Sequence, residues 1–133
     1  MRFLLDTNIC IYIIKRKPFQ VINKLRTFNI SDIGISSITL SELEYGVVKS
    51  SRSDQNRDAL INFLAPLEII PYDDRAASHY GEIRAHLERI GQPIGAMDML
   101  IAAHARSLAV TLVTNNSREF ERVPQLQLEN WVR

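Results

Sequence analysis

Four acids stand where a carboxylate can do chemistry: Asp6, Glu42, Asp98 and Glu119. Asp6 closes the apolar run Phe3-Leu4-Leu5, and Glu42 follows a capping-type stretch after a second apolar run. Asp98 opens a strongly apolar segment, and Glu119 follows the run Val110 to Val113. Gathered at one pole of a fold, four carboxylates would repel one another and carry raised pKa values unless a cation neutralised them. Cys10 is the only cysteine, and His79, His86 and His104 lie in helix-like segments where packing is their ordinary role. An oxygen-only donor set without thiolates selects a hard divalent ion, Mg2+ with Mn2+ as a substitute, over Zn2+.

Each acid also has an ordinary structural role open to it. Asp6-Thr7-Asn8 is a natural helix-capping sequence. Thr39-Leu40-Ser41-Glu42 fits a capping box, Asp98 suits a helix N-terminus with its favourable dipole, and Glu119 suits the surface. What separates these roles from a shared site is whether the elements bring the acids together.

The elements alternate. Residues 2 to 5 read as a buried strand and Asn8 to Lys15 as a helix packed behind it. Pro18 fits the first turn of a second helix running to about Phe28, and Ile33 to Ser37 is the next strand. Thr39 is the expected N-cap of a helix from Leu40 to Lys49, followed by a polar stretch from Ser50 to Arg57 and an amphipathic segment ending near Pro66. A strand from Leu67 to Pro71 comes next. Ala76, Tyr80, Ile83, Leu87 and Ile90 form the stripe of an amphipathic helix stopped by Gly91 and Pro93. Asp98 then leads a helix to about Leu108, Val110 to Val113 is a fourth strand, and Leu126 to Leu128 adds an edge strand with Trp131 closing the core. Short apolar strands alternating with helices predict an α/β fold, a central, mainly parallel sheet flanked by helices on both faces. Ligands of such sheets bind at the carboxyl ends of the strands, where all four acids would fall.

The chain has 133 residues, with 46% hydrophobic and 23% charged, which suits one domain, residues 1 to 133, with a single core region. No apolar run is long enough for a membrane helix, and the opening lacks a cleavable leader pattern, so the cytoplasm is the expected compartment and no membrane partner is expected. The formal net charge is +1, from 16 basic and 15 acidic residues, so any nucleic-acid contact must come from local patches such as Lys15-Arg16-Lys17, Arg118 and Arg122.

The four acids sit in four ordered motifs. Leu4-Leu5-Asp6-Thr7-Asn8 resembles the first motif of PIN-domain ribonucleases, and Ser36-Ser37-Ile38-Thr39-Leu40-Ser41-Glu42-Leu43 resembles their second. Pro93 to Ala105, carrying Asp98, resembles the third, and Val113-Thr114-Asn115-Asn116-Ser117-Arg118-Glu119-Phe120 the fourth as it occurs in enteric-type members of the VapC toxin family. The resemblance spans essentially the whole chain and implies a PIN-like fold. It implies a metal-dependent endoribonuclease toxin that cuts single-stranded or loop RNA, with the anticodon region of initiator tRNA as the specific substrate. It also implies a homodimer silenced by a VapB-type antitoxin, which covers the acidic groove and supplies DNA binding, so that DNA is contacted only indirectly.

On this resemblance Asp6 and Asp98 are the main metal ligands, Glu42 coordinates or orients a water, and Thr7, Asn8 and Thr114 hydrogen-bond to the ligands. Arg118, Arg122 and Lys15 to Lys17 are candidate phosphate contacts. One departure leaves two alternatives. Many PIN domains have an acid two residues after the threonine of the last motif, where this chain has Asn116. Asn116 offers an amide oxygen or holds a water, or else Glu119 reaches the site from the start of a helix. The rivals are a noncatalytic RNA- or protein-binding PIN-like domain and a phosphatase using Asp6 as nucleophile. The first would be expected to have lost an acid. The second usually needs a further Asp two residues on, where Asn8 stands.

Overall fold

The computed structural model describes all 133 residues. The element order is β1 (Phe3–Leu5), α1 (Thr7–Lys15), α2 (Phe19–Leu25), a 3-10 turn (Ile30–Asp32), β2 (Ile33–Ser36), α3 (Ser37–Lys49), α4 (Ser53–Leu64), β3 (Glu68–Ile70), α5 (Asp74–Arg89), α6 (Ala96–Leu108), β4 (Thr111–Val113), α7 (Ser117–Phe120) and β5 (Gln127–Glu129). The strands form one sheet in the order β3-β2-β1-β4-β5, with every pairing parallel. The chain builds outward from β1 to β3, then crosses back to lay β4 and β5 on the other side, which makes the boundary between β1 and β4 the topological switch point.

Strand alternation divides the core in two. Leu4 and Leu112 point to the face covered by α5 and α6, where they meet Ile83, Leu87, Met99 and Ile101. Phe3, Leu5, Ile33, Ile35 and Val113 point to the opposite face, against Ile9, Leu43 and Leu60 from α1, α3 and α4. Ala102, Ala103 and Ala105 are fully buried on α6, and their small side chains let that helix press close to its neighbours. Trp131 closes the second face as expected, with its ring 5.6 Å from Phe28 and 5.5 Å from Phe3. Cys10 is buried in the same cluster, and burial pushes its thiol well above its ordinary pKa, which keeps it protonated and unreactive. No helix is long and apolar enough to cross a membrane.

Several boundaries differ from the sequence reading. The N-cap of α3 is Ser36 and not Thr39: Ser36 is the extended last residue of β2, and its hydroxyl accepts from the Ile38 amide at 3.0 Å. Thr39 therefore falls inside the helix, buried, with its hydroxyl unpartnered. The helix begins three residues earlier than expected, so Glu42 lies in its second turn and makes no capping box. Pro18 is the N-cap of α2, which ends at Leu25 because Phe28 turns in to the Phe3–Trp131 cluster. The polar stretch from Ser50 to Arg57 supplies the first turns of α4, anchored by Asn56 and Arg52 donating to the Ser50 hydroxyl and by the Arg57–Glu44 ion pair. On α5 the stripe ends at Leu87. Ile90 is 46% exposed because the helix has closed by then and Gly91 turns the chain at φ +66°.

Candidate active site

Asp6 leaves the carboxyl end of β1 at the switch point and caps α1, accepting from the Ile9 amide at 2.9 Å. Capping and membership of the site are thus compatible for this residue. Its side chain is 5% exposed, and burial raises its pKa against the opposing hydrogen bonds from the Thr114 hydroxyl and the Ile9 amide. Thr114 follows β4, the other strand of the switch point, and is fully buried. Thr7 and Glu42 meet across the α1–α3 interface, where Thr7 Oγ1 donates to Glu42 Oε1 at 2.5 Å. Asn8 turns its backbone amide toward Asp6, and its side chain is exposed.

Asp98 lies in the first turn of α6 behind the Gly95 N-cap, and its carboxylate caps nothing. Its pKa is pushed up to about 6, first by burial and then by the negative charges of Glu119, Glu42 and Asp6, in that order. This one residue therefore feels all three other acids, which places the four in a common electrostatic field. Glu119 reaches that field from α7, and Asn116 donates through Nδ2 to Glu119 Oε2 at 2.6 Å. The Asn116 amide N–H in turn donates to Thr114 Oγ1 at 2.9 Å. Asn116 and Glu119 are consequently partners in one arrangement.

The acids face one another at Coulomb range and not as a closed cage, since no three His, Cys, Asp or Glu side chains are grouped tightly enough to surround an ion by themselves. An ion of the Mg2+ kind would need only one or two of these carboxylates directly, because it retains several waters. The half-buried Asp98, destabilised as an anion by three like charges, is the feature a divalent ion would relieve.

The basic candidates are distributed differently. Arg118 is exposed beside the acids on α7. Arg122 is tied to the loop before α6, donating to the Pro93 carbonyl at 3.2 Å. Lys15, Arg16 and Lys17 are exposed at the far end of α1, roughly 12 Å along the helix from Thr7 at 1.5 Å per residue. His79 accepts from Arg106 Nε at 2.8 Å, and His104 is buried with Nδ1 2.7 Å from Ser36 Oγ, so both have packing roles away from the acids. Two features escaped the sequence reading. One is a mainly apolar cleft of about 280 Å3 beside Glu42, lined by Ile11, Ile14, Leu43, Val47 and Leu60 from α1, α3 and α4. The other is a polar recess on the Asn116 side, joining Asn115, Asn130 and, through a hydrogen bond, Tyr12.

The all-parallel sheet with helices on both faces agrees with the comparisons to known proteins. The PIN domain family model matches residues 3–126. The tRNA(fMet)-specific endonuclease VapC of Shigella flexneri is 47% identical over 131 residues, 98% of each chain. The solved VapBC2 complex of Rickettsia felis bound to a promoter DNA fragment contains a chain 48% identical, with TM-score 0.92 over 98% of this chain and 99% of that one. DNA-bound VapBC of Salmonella typhimurium gives 46% identity and TM-score 0.93 over 98% of each. This chain belongs to the PIN-domain family, in its VapC group.

Proposed function

We propose that the protein is a Mg2+-dependent endoribonuclease toxin that cleaves initiator tRNA in its anticodon region and is neutralised by a VapB-type antitoxin. The observation that carries the chemistry is Asp98, whose carboxyl is raised to about 6 first by burial and then by the charges of Glu119, Glu42 and Asp6. Asp6 and Asp98 would hold the ion, with Glu42 and Glu119 completing the negative field. When bound, the ion supplies acidification of a water and neutralisation of charge at the scissile phosphate.

The chain's own residues set up that chemistry. Thr7 fixes the Glu42 carboxylate through its hydroxyl, Thr114 braces Asp6, and Asn116 orients Glu119. At neutral pH Asp98 is largely ionised, so the oxygens needed for coordination are present before any ion arrives. A phosphatase using Asp6 as nucleophile is disfavoured, because that carboxylate is buried and already holds the Ile9 amide.

The apolar cleft beside Glu42 suits a segment of the antitoxin, and the Rickettsia felis and Salmonella typhimurium relatives are VapBC complexes bound to DNA. DNA contact would then belong to the antitoxin, and two copies of this chain would pair as a homodimer, which light scattering reads directly. The functional test is expression alone and beside the antitoxin, with initiator and elongator tRNAs probed for cleavage. The expected result is growth arrest with cut initiator tRNA, both relieved by the antitoxin. Intact tRNA in arrested cells would overturn the substrate assignment, and normal growth with demonstrably active enzyme would overturn the toxin reading.

A further inference from the structure

We propose that the polar recess beside the acids is a subsite for one unstacked nucleobase of the RNA, read by the side-chain amides of Asn115 and Asn130. This rests on the ribonuclease reading and adds where base identity is sensed. The recess measures about 330 Å3, at the lower end for small-ligand sites, and has no hydrophobic lining residue. Asn116 forms part of its wall and at the same time donates to Glu119, so the recess is one residue removed from the acid cluster.

Its hydrogen-bonding capacity is left half used. Asn130 Nδ2 donates to Asn115 Oδ1 at 3.2 Å, and Asn115 Nδ2 donates to the Tyr12 hydroxyl at 3.4 Å. An amide has two N–H donors and two lone pairs on oxygen, so Asn115 and Asn130 each keep one of each. Asn115 is exposed, so a free donor and a free acceptor stand side by side toward solvent. A base edge offers that pattern in complement, whereas a phosphate offers acceptors alone and would leave the Asn115 oxygen unmatched. Charge points the same way. Arg118 and Arg133 stand against Glu121 in the lining, which leaves one net positive side-chain charge and not the strongly cationic pocket that a backbone phosphate favours. The guanidinium planes of the two arginines offer flat faces on which an unstacked base can rest.

The amides are also held in place before any ligand arrives. Asn130 Oδ1 accepts from the Val132 amide at 2.9 Å, and the Asn130–Asn115–Tyr12 chain ties the C-terminal segment, the loop after β4 and α1 together. Such bracing lowers the ordering cost of binding.

The experiment measures kcat/KM for a set of labelled RNA hairpins that differ only in the loop base next to the cut, using the wild type, Asn115→Ala, Asn115→Asp and Arg118→Ala. The wild type is expected to prefer one base by about tenfold or more, the value of a good amide–base pair. Asn115→Ala should lose that preference, mainly through KM, without moving the Mg2+ midpoint, and Asn115→Asp, which replaces the donor by an acceptor, should change the ranking of bases. Arg118→Ala should weaken all hairpins alike. Equal loss on every hairpin for folded Asn115→Ala, or a wild type indifferent to the loop base, overturns the subsite alone. A wild type that cuts none of the hairpins and no tRNA overturns the ribonuclease reading, and the subsite with it.

Discussion

Asn116 Nδ2 lies 2.6 Å from Glu119 Oε2, so the neutral residue at the position where many PIN domains carry an acid is the hydrogen-bond partner of the acid three residues later. Glu119 carries the charge that acts on Asp98, and Asn116 holds its carboxylate. Glu119→Gln removes a charge that Asp98 feels more than any other, and should raise the Mg2+ concentration for half-maximal rate by about tenfold. Asn116→Ala removes one hydrogen bond, worth on the order of 1 kcal/mol, and should shift the midpoint less. The double variant should be no worse than Glu119→Gln, because both changes act on one carboxylate. RNase rate against Mg2+ for the three variants checks this, and additive shifts would separate the two residues.

The Thr7–Glu42 contact predicts a second outcome. Thr7→Val keeps the shape at the start of α1 and loses the donor to Glu42. The rate should fall about tenfold at fixed Mg2+, with a stability loss of about 1 kcal/mol, read by single-turnover kinetics and urea unfolding. A variant with wild-type rate would take Glu42 out of the site's geometry.

The start of α3 was only partly legible in the sequence. Ser36-Ser37-Ile38-Thr39 offers three capping residues in four positions, and local preference does not choose among them. Tertiary structure does: β2 must stay extended through Ser36 to pair with Ile70 of β3, so the helix begins immediately after it. By contrast, the strand ending in Asp6 and the stripe of α5 were readable because apolar runs and periodicity are local signals. The Tyr12–Asn115–Asn130 chain was not, since Tyr12 and Asn115 lie 103 positions apart and no local pattern announces a polar recess.

That correction is testable by stability. Ser36→Ala should cost about 1 to 2 kcal/mol, because it removes the cap of α3 and the partner of the buried His104 ring. Thr39→Ala should cost clearly less, since the Thr39 hydroxyl has no partner to lose. Equal losses, or a larger loss for Thr39→Ala in denaturant melts, would return the cap to Thr39.

The acids also set a pH dependence in the metal-free protein. The Asp98 carboxyl is raised to about 6 in the fold, above its ordinary value of 3.8, so the folded state binds its proton more tightly than the unfolded chain. Its contribution is full below about pH 4 and is lost as pH rises through 6, on the order of 1 to 2 kcal/mol for a half-buried group. Asp98→Asn in EDTA should lack this decline, and Mg2+ should restore wild-type stability at neutral pH. Thermal melts from pH 4 to 8 with and without Mg2+ read both effects, and parallel curves for wild type and variant would show that Asp98 is not under the strain described.

The central claim is that Asp6, Glu42, Asp98 and Glu119 act as one divalent-metal site for RNA hydrolysis. Its most direct measurement is cleavage of a labelled initiator tRNA by antitoxin-free protein across a Mg2+ titration, for wild type, Asp6→Asn and Asp98→Asn, each checked by circular dichroism. The account predicts no cleavage in EDTA, saturable activation by Mg2+ in the wild type, and loss of at least about a hundredfold in rate for both folded variants even at high Mg2+. Metal-independent cleavage, or an Asp98→Asn protein that turns over at the wild-type rate, would contradict it.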